Sequence, residues 1–195
     1  MSPKGFLLVT MQPPPAFEEE FNAWYDSEHI PERLAVPGIL TARRYVAADA
    51  HPKYLAMYDL ESHAVMASPA YLKVAFENSS PWTKRVTARV SPWRATGEQI
   101  WPGDRLTSGG SAVLLMRLRG LGRGDDAAVI EGCRKLFEPR ASTRVLRVLA
   151  HDAGATGYAY LAFVEQRMPD AATLDLAPLG ALADRVDLVN LYRPY

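Results

Sequence analysis

The two halves of this sequence repeat the same order of elements. Residues 41–62 (TARRYVAADAHPKYLAMYDLES) and 142–166 (STRVLRVLAHDAGATGYAYLAFVEQ) share a strand, a polar turn, a Tyr-rich strand and an acidic end. Internal repetition constrains a fold more strongly than the propensity of any single segment. The chain is therefore expected to consist of two similar units.

Apolar patterning predicts the order β-α-β-β-α-β in each half. Apolar runs and period-two alternation indicate strands, whereas apolar residues spaced three and four apart indicate helices. The first half is predicted to have strands at 5–11, 40–47, 54–60 and 86–90, a helix at 17–29 and a broken helix at 62–77. The second half is predicted to have strands at 112–118, 143–149, 158–164 and 186–192, and helices at 125–137 and 169–182.

The end of the first helix is marked by a proline. Pro31 disfavours the helical conformation at Ile30, the residue that precedes it. Pro37 and Gly38 then form a turn before the second strand. The helix is therefore expected to end near His29.

This order of elements is that of the ferredoxin-like unit. A four-stranded sheet with helices on one face leaves its other face bare, and two such units can cover each other's sheets. The predicted fold class is α+β, with two ferredoxin-like βαββαβ halves packed as an intrachain pseudo-dimeric α/β barrel. We expect the halves to span 1–100 and 111–195, with residues 101–110 as the linker, because 95–110 is rich in turn-forming residues.

Composition excludes several classes of protein. Lys and Arg together number 22, as do Asp and Glu, so the basic excess of a nucleic-acid binder is missing. No apolar run approaches the roughly 18 residues of a membrane helix. Cys133 is the only cysteine, which excludes an internal disulfide and a Cys-rich zinc site. The apolar run near Met1 is too short for a signal peptide, so a cytoplasmic protein is expected.

Two segments of the first half resemble a known family. The segment FNAWYDSEHIPERLAVPGILTARRY (21–45) has a Trp-Tyr pair, a His near the helix end, a Pro, and a Pro-Gly turn before the second strand. The segment SPAYLKVAFENSSPWTKRV (68–86) adds to the likeness. Together they resemble the EthD-type members of the dimeric α/β-barrel superfamily over about residues 5–95. The second half matches only in element order and resembles a degenerate copy, which makes this a tandem fused form.

The resemblance implies a cavity between the helices and the sheet that holds a small, often aromatic, molecule. The superfamily includes cofactor-free monooxygenases, polyketide cyclases and dehydratases, lactone isomerases and haem-handling proteins. The family likeness therefore does not select one reaction, because a fold does not determine a function.

His29 and Tyr25 are the predicted catalytic residues. Imidazole titrates near neutral pH, so His29 can act as a general acid or base. Tyr25 precedes it by four residues, which places both side chains on one helical face. The structural alternatives are a histidine that complements the helix dipole and a buried histidine with one backbone hydrogen bond.

Five further residues are predicted to bind the substrate. Trp24, Tyr58 and Trp82 can form aromatic walls, although aromatic residues in helices and strands also serve simply as core. Arg43 and Arg44 are neighbours on a strand and therefore face opposite sides. One of them can anchor an acidic ligand, and the alternative is an exposed or salt-bridged pair.

We expect either an enzyme or a binding protein. The enzyme would perform cofactor-free isomerisation, dehydration, cyclisation or oxygenation on a small aromatic or polyketide-like compound. The alternative is a non-catalytic metabolite-binding or stress-associated protein, and a haem protein with His151 as axial ligand is less favoured. No metal site is predicted, because the four histidines lack ligand spacing. The expected partner is a small hydrophobic or aromatic molecule, with a homodimer possible.

Overall fold

Eight antiparallel strands form a closed barrel. The structure is a computed structural model that describes residues 2–152, 158–170 and 174–195. The strands are β1 (Gly5–Met11), β2 (Ile39–Val46), β3 (Tyr54–Leu60), β4 (Trp93–Trp101), β5 (Ala112–Leu121), β6 (Thr143–Asp152), β7 (Tyr158–Gln166) and β8 (Val186–Pro194). Their order around the barrel is β1-β3-β2-β8-β5-β7-β6-β4. The predicted α+β fold, with a barrel formed from both halves, is confirmed.

Helices cover the outside of the barrel. The α-helices are α1 (Glu18–Trp24), α2 (Ile30–Leu34), α3 (Pro69–Leu72), α4 (Pro81–Thr87) and α5 (Asp126–Phe137). A π-helical turn, Tyr25–His29, joins α1 to α2, and 3-10 turns at His63–Ala67 and Phe76–Asn78 flank α3. A longer 3-10 segment, Ala177–Arg185, precedes β8. None of the helices in the described ranges is long and apolar enough to cross a membrane.

The core has three parts, which correspond to the inside of the barrel and its two helical layers. In β1, Phe6 and Leu8 point into the barrel and join the interior cluster. Leu7 and Val9 point outward and pack beneath the helices of the first half. A third cluster, around Val129, packs beneath α5. Both faces of β1 are therefore buried, which explains its continuously apolar sequence.

The predicted strand at 86–90 is wrong, because Val86 and Thr87 belong to helix α4 and residues 88–90 form the turn that follows it. Ser80 caps the helix by accepting a hydrogen bond from the Thr83 amide at 2.9 Å, and Pro81 occupies its first turn. Val86 and Val90 lie four residues apart and both reach the core beneath the helices. The fourth strand of the first half is instead β4, which includes part of the turn-rich segment expected to be a linker.

The prediction that the first helix ends near His29 is also wrong. The chain continues through the π-helical turn into α2, which ends at Leu34. Pro31 cannot donate a hydrogen bond, but here it lies in the first turn of α2, where this defect is tolerated. The extra residue of the π turn restarts the helix in a register that accommodates the proline.

The helix predicted from Pro169 to Leu182 differs as well. Residues 171–173 lie outside the described residues, and 174–176 are not helical. The regular segment begins at Ala177 and is 3-10 rather than α. Gly180 interrupts it with a positive φ of 57°, a conformation that favours glycine.

The barrel interior contains a buried ionic group centred on Arg147. Its guanidinium lies 2.7 Å from an Asp59 carboxylate oxygen and 3.9 Å from a Glu165 carboxylate oxygen. It also donates to the Thr107 hydroxyl at 2.7 Å. The Thr107 amide donates to Asp59, and Ser108 donates to Glu165. The chain between β4 and β5 is thus fixed to the barrel by hydrogen bonds to buried charges.

The contact that joins β8 to β2 is short. Within the described residues, these strands pair at Tyr45 with Pro194 and at Val46 with Arg193. Side chains of β8 reinforce the contact, because Asn190 donates to the His51 carbonyl at 2.9 Å and the Tyr192 hydroxyl donates to the Pro52 carbonyl at 2.9 Å. By contrast, β5 pairs with β7 along its whole length.

Candidate functional site

A cavity of about 160 Å³ lies between the first helical layer and the outer face of the sheet. Apolar side chains of β1 form one side, and aromatic side chains from the end of α1 and the π turn form another. Polar and cationic residues complete the lining. The lining residues are Leu7, Val9, Met11, Trp24, Tyr25, His29, Arg33, Ala75, Phe76, Ser79, Thr83, Lys84, Thr87, Pro92 and Arg94.

The π-helical turn sets the arrangement of the aromatic side chains. A π helix brings residues five apart onto one face, so the His29 ring lies over that of Trp24. Their centroids are 4.2 Å apart and their planes are tilted by 31°. The Tyr25 ring stands at 88° to the imidazole, with centroids 5.2 Å apart. The Trp24 indole is fixed because its Nε1 donates to the Thr83 hydroxyl at 3.0 Å.

The imidazole of His29 is held in its neutral form. Burial lowers the pKa of His29 well below its usual value, and the positive charges of Arg33, Arg94 and Arg44 lower this pKa further. The Nδ1 atom is buried without a hydrogen-bond partner, whereas the residue as a whole is partly exposed and lines the cavity. At neutral pH, His29 is therefore unprotonated, and the burial and positive charges that keep it so also make it a weaker base than a free imidazole.

This depressed pKa predicts a loss of stability in mild acid. The unfolded chain binds a proton at His29 near pH 6.5, whereas the folded chain does so only at lower pH. Stability is therefore fully present above pH 6.5 and falls as the pH drops toward the folded pKa. Between pH 7.5 and 5.5, we expect wild type to lose up to about 1.4 kcal/mol more than His29→Gln does. Urea unfolding at the two pH values measures this difference.

The exposed His63 provides the control for this measurement. His63→Gln is expected to lose as much stability between the two pH values as wild type does. Equal losses for wild type and His29→Gln would show that the folded protein does not hold His29 neutral.

Two tyrosines lie beside the imidazole. Tyr25 and Tyr58 are both fully buried, and Tyr58 lies behind the cavity wall with its ring centroid 6.5 Å from that of His29. Their hydroxyls interact electrostatically but do not meet the geometry of a hydrogen bond. Burial raises the pKa of Tyr25 to about 12 and that of Tyr58 well above its usual value. Both phenols are therefore neutral and can donate hydrogen bonds.

Two arginines of the cavity were not among the predicted site residues. Arg33 is 4% exposed and donates to the Val74 carbonyl at 2.8 Å, with its guanidinium 5.4 Å from the centroid of the Tyr71 ring. Arg94, on β4, donates to the Tyr71 hydroxyl at 2.9 Å. One tyrosine thus contacts both guanidinium groups. The sequence signal was the four-residue spacing of His29 and Arg33, which places both on one helical face when the helix continues.

Four of the five predicted binding residues do not line this cavity, namely Tyr58, Arg44, Arg43 and Trp82. Arg44 faces the helices, bonds to Asp26 at 2.6 Å and to Asn22, and lies 4.4 Å from the Tyr25 ring centroid. Arg43 is exposed on the opposite side of β2. Both arginines line a separate open groove of about 560 Å³ beside α2. Trp82 is partly buried in α4, outside the cavity lining, with its Nε1 buried and unpaired.

Phe76 lies at the mouth of the cavity in a strained conformation. Its φ is 53°, a region that side chains other than glycine rarely adopt, and the residue is 62% exposed. Such strain is concentrated at functional sites. The ring is the most exposed large hydrophobic side chain of the cavity lining.

The environment of His151 does not suit a haem ligand. Side chains two residues apart on a strand point to the same face, so His151, like Leu149, points into the barrel rather than toward α5. Its Nδ1 lies 2.8 Å from the Thr96 carbonyl oxygen, and its ring centroid lies 6.0 Å from that of Trp93. The space beneath α5 is filled by apolar side chains. In the part of the chain that the structure describes, no group of three or more metal-binding side chains is present.

Comparisons with known proteins bear on the fold. No family model matches the sequence, and no curated protein matches it. An anthrone oxidase-like protein of known structure is similar over 100% of this chain and 92% of its own, with a TM-score of 0.68 and 12% identity. A variant of chlorite dismutase from Candidatus Nitrospira defluvii is similar over 100% and 91%, with a TM-score of 0.56 and 10% identity. At these identities the chain shares with them the dimeric α/β-barrel fold.

Proposed function

We propose that this chain is an EthD-like, tandem form of the dimeric α/β barrel that removes a proton from a small aromatic molecule without a cofactor. The proposal takes 1–100 as the active half, 101–110 as the linker and 111–195 as the degenerate copy. Its main support is the neutral, partly exposed imidazole of His29 on the wall of an aromatic cavity. A neutral imidazole is the form that accepts a proton.

The surrounding groups suit an anionic product of proton removal. The positive charges of Arg33 and Arg94 favour the negative charge that develops on the substrate. Tyr25 can donate a hydrogen bond, since its pKa of about 12 keeps the phenol protonated. Proton abstraction from a phenol, or from a carbon beside a carbonyl, begins isomerisation, dehydration, cyclisation and oxygenation alike. The likeness to an anthrone oxidase-like protein favours oxygenation among these outcomes.

The cavity size restricts the substrate. An apolar cavity of roughly 150 Å³ is large enough for benzene, whereas drug-sized ligands occupy roughly 300–1,000 Å³. A cavity of about 160 Å³ therefore accepts one aromatic ring. The remainder of a polyketide-like compound would extend past Phe76 at the mouth.

One observation favours a non-catalytic binder as the second candidate. Catalytic histidines are commonly oriented by a carboxylate or carbonyl on the second ring nitrogen. The Nδ1 of His29 has no such partner. As a non-catalytic binder, the chain would hold a single-ring metabolite in this cavity without transforming it.

Ligand-induced thermal shifts test the proposal. The panel contains single-ring phenols, aromatic acids, quinones and lactones, applied to wild type, His29→Gln and the control His63→Gln. A ligand at about 100 times its dissociation constant adds about 2.7 kcal/mol of stability. For a chain of this size, that raises the melting temperature by roughly 5–10 °C. We expect one class of compound to shift wild type and His63→Gln, and to shift His29→Gln less.

Two outcomes would contradict the assignment. A panel that shifts none of the three proteins would remove the basis for a single-ring ligand. Shifts that are equal in wild type and His29→Gln, followed by equal turnover, would leave the ligand site but remove the proton acceptor.

A further inference from the structure

The charges around the cavity are all of one sign. Arg33, Lys84 and Arg94 line it, and none of the described lining residues carries a carboxylate. Two carboxylates lie behind the lining: Glu28 accepts hydrogen bonds from the hydroxyls of Ser80 and Thr83, and Glu32 lies beside Arg33. A concave site lined by one charge attracts ligands of the opposite charge.

Arg33 is buried, and its ion pair with Glu32 is long. The closest carboxylate oxygen, Oε2 of Glu32, lies 3.7 Å from Nη1 and accepts no hydrogen bond. The guanidinium donates a hydrogen bond to a neutral carbonyl, that of Val74. A buried guanidinium is costly unless a charged group satisfies its five N–H donors. The arrangement therefore leaves charge and donors for a ligand at the cavity wall.

A second guanidinium is fixed beside the first. The Tyr71 ring packs under Arg33, and its hydroxyl accepts from Arg94 at 2.9 Å. Arg94 also lies 5.7 Å from the ring centroid of Phe76 at the mouth. Because Tyr71 is completely buried, it holds both cations at the cavity without conformational freedom of its own.

We propose that the cavity selects aromatic molecules that carry an anionic oxygen when bound, with Arg33 as the residue that determines this selectivity. The proposal rests on the proposed function and specifies its ligand class. The aromatic ring lies against Trp24, and the anionic oxygen accepts charge-assisted hydrogen bonds from Arg33 and receives the field of Arg94. The anion has two sources, a carboxylate that is ionised in solution and a phenol that loses its proton on binding.

Matched ligand pairs test this selectivity by isothermal titration calorimetry. Benzoate and benzamide have nearly the same shape but differ in charge, and 4-nitrophenol and phenol differ in acidity. We expect benzoate to bind at least about tenfold more tightly than benzamide, because a hydrogen bond to a charged partner is stronger than a neutral one. Benzoate affinity is then expected to be constant between pH 7 and 9. Phenol affinity is expected to rise across the same range if the phenol binds as an anion.

Four variants connect the selectivity to the arginines. Arg33→Met is expected to weaken benzoate binding about 10-fold or more while leaving benzamide unchanged, and Arg33→Lys is expected to retain part of the preference. Arg94→Met removes a second positive charge from the cavity wall. Because Arg94 is exposed, this variant leaves the buried side chains in place. The control is Arg89→Met, because Arg89 is exposed, lies over Phe17 and is not in the cavity lining.

The outcomes separate this proposal from the proposed function. Equal binding of benzoate and benzamide, or a preference that survives unchanged in both Arg33→Met and Arg94→Met, would overturn charge selection while leaving an aromatic site. Benzoate binding that depends on Arg33, together with a phenol affinity that rises with pH to the same extent in wild type and His29→Gln, would uphold charge selection and contradict proton abstraction by His29. No binding by any of the four compounds would overturn both.

Discussion

Replacing Arg147 by methionine is expected to lower the free energy of unfolding by about 3–5 kcal/mol. Arg147 is completely buried inside the barrel, where it compensates the buried carboxylates of Asp59 and Glu165. Methionine keeps most of the side-chain volume but leaves two negative charges without a cation. Because isolated buried charge is far more costly than a lost neutral hydrogen bond, this effect exceeds that of ordinary core substitutions. Urea unfolding at pH 7.5 measures the loss.

Two further variants identify charge as the cause. Arg144→Met changes an exposed arginine on the same strand and is expected to cost less than about 1 kcal/mol. Combining Arg147→Met with Asp59→Asn and Glu165→Gln neutralises the carboxylates and should recover a large part of the loss, since neutral isosteres of a buried ion group are tolerated. If the triple variant were as unstable as Arg147→Met, the loss would come instead from packing around Phe163. The guanidinium carbon of Arg147 lies 4.5 Å from the ring centroid of Phe163.

Substituting glutamine for His29 is expected to lower turnover by about 10²–10⁴-fold, the contribution of a positioned general base. The expectation rests on the proposed function and applies to the substrate class that the ligand panel identifies. Glutamine retains a hydrogen-bonding side chain but accepts no proton near neutral pH. Since the folded protein depresses the pKa of His29, wild-type kcat/KM should already be near its plateau at pH 7 and fall only in acid.

The kinetic comparison uses wild type, His29→Gln and His63→Gln at saturating and limiting substrate. His63→Gln should match wild type, because His63 lies outside the cavity. A drop in kcat with little change in KM would indicate lost proton transfer. If instead His29→Gln raised KM alone, His29 would contribute to binding and the non-catalytic candidate would gain support.

Much of the barrel could be predicted from apolar patterning. Strands 5–11 and 54–60 were predicted with the bounds that the structure shows, because their residues are buried on both faces and form continuous apolar runs. The strand β4 was missed because Gly97, Glu98 and Gln99 interrupt its apolar pattern. Gln99 is nonetheless buried, since its side chain bonds to the backbone of Arg105. That compensation depends on tertiary contacts, which the local sequence does not reveal.

The misplaced end of the first helix and the missed strand β4 explain which cavity residues were not predicted. Trp24, Tyr25 and His29 were expected to lie together, and they do. Arg33 was overlooked because the first helix was predicted to end before it. Arg94 was overlooked because the fourth strand was predicted at 86–90, which left residue 94 between that strand and the turn-rich segment. The π-helical turn that keeps the helix continuous past Pro31 has no simple sequence signature, and it alone stacks Trp24 on His29.

The short pairing of β2 with β8 has a consequence for local opening of the barrel. Free energies of local unfolding are lowest where few backbone bonds and packed side chains must break. Amide hydrogens at the junction of β2 with the end of β8 should therefore exchange with solvent before those between β5 and β7, which are paired along their length. The guanidinium carbon of Arg44, on β2, lies 4.4 Å from the Tyr25 ring centroid and 3.8 Å from the Tyr195 ring centroid. Fraying of the C-terminal strand would therefore remove a contact of Arg44, which packs on Tyr25 at one wall of the cavity.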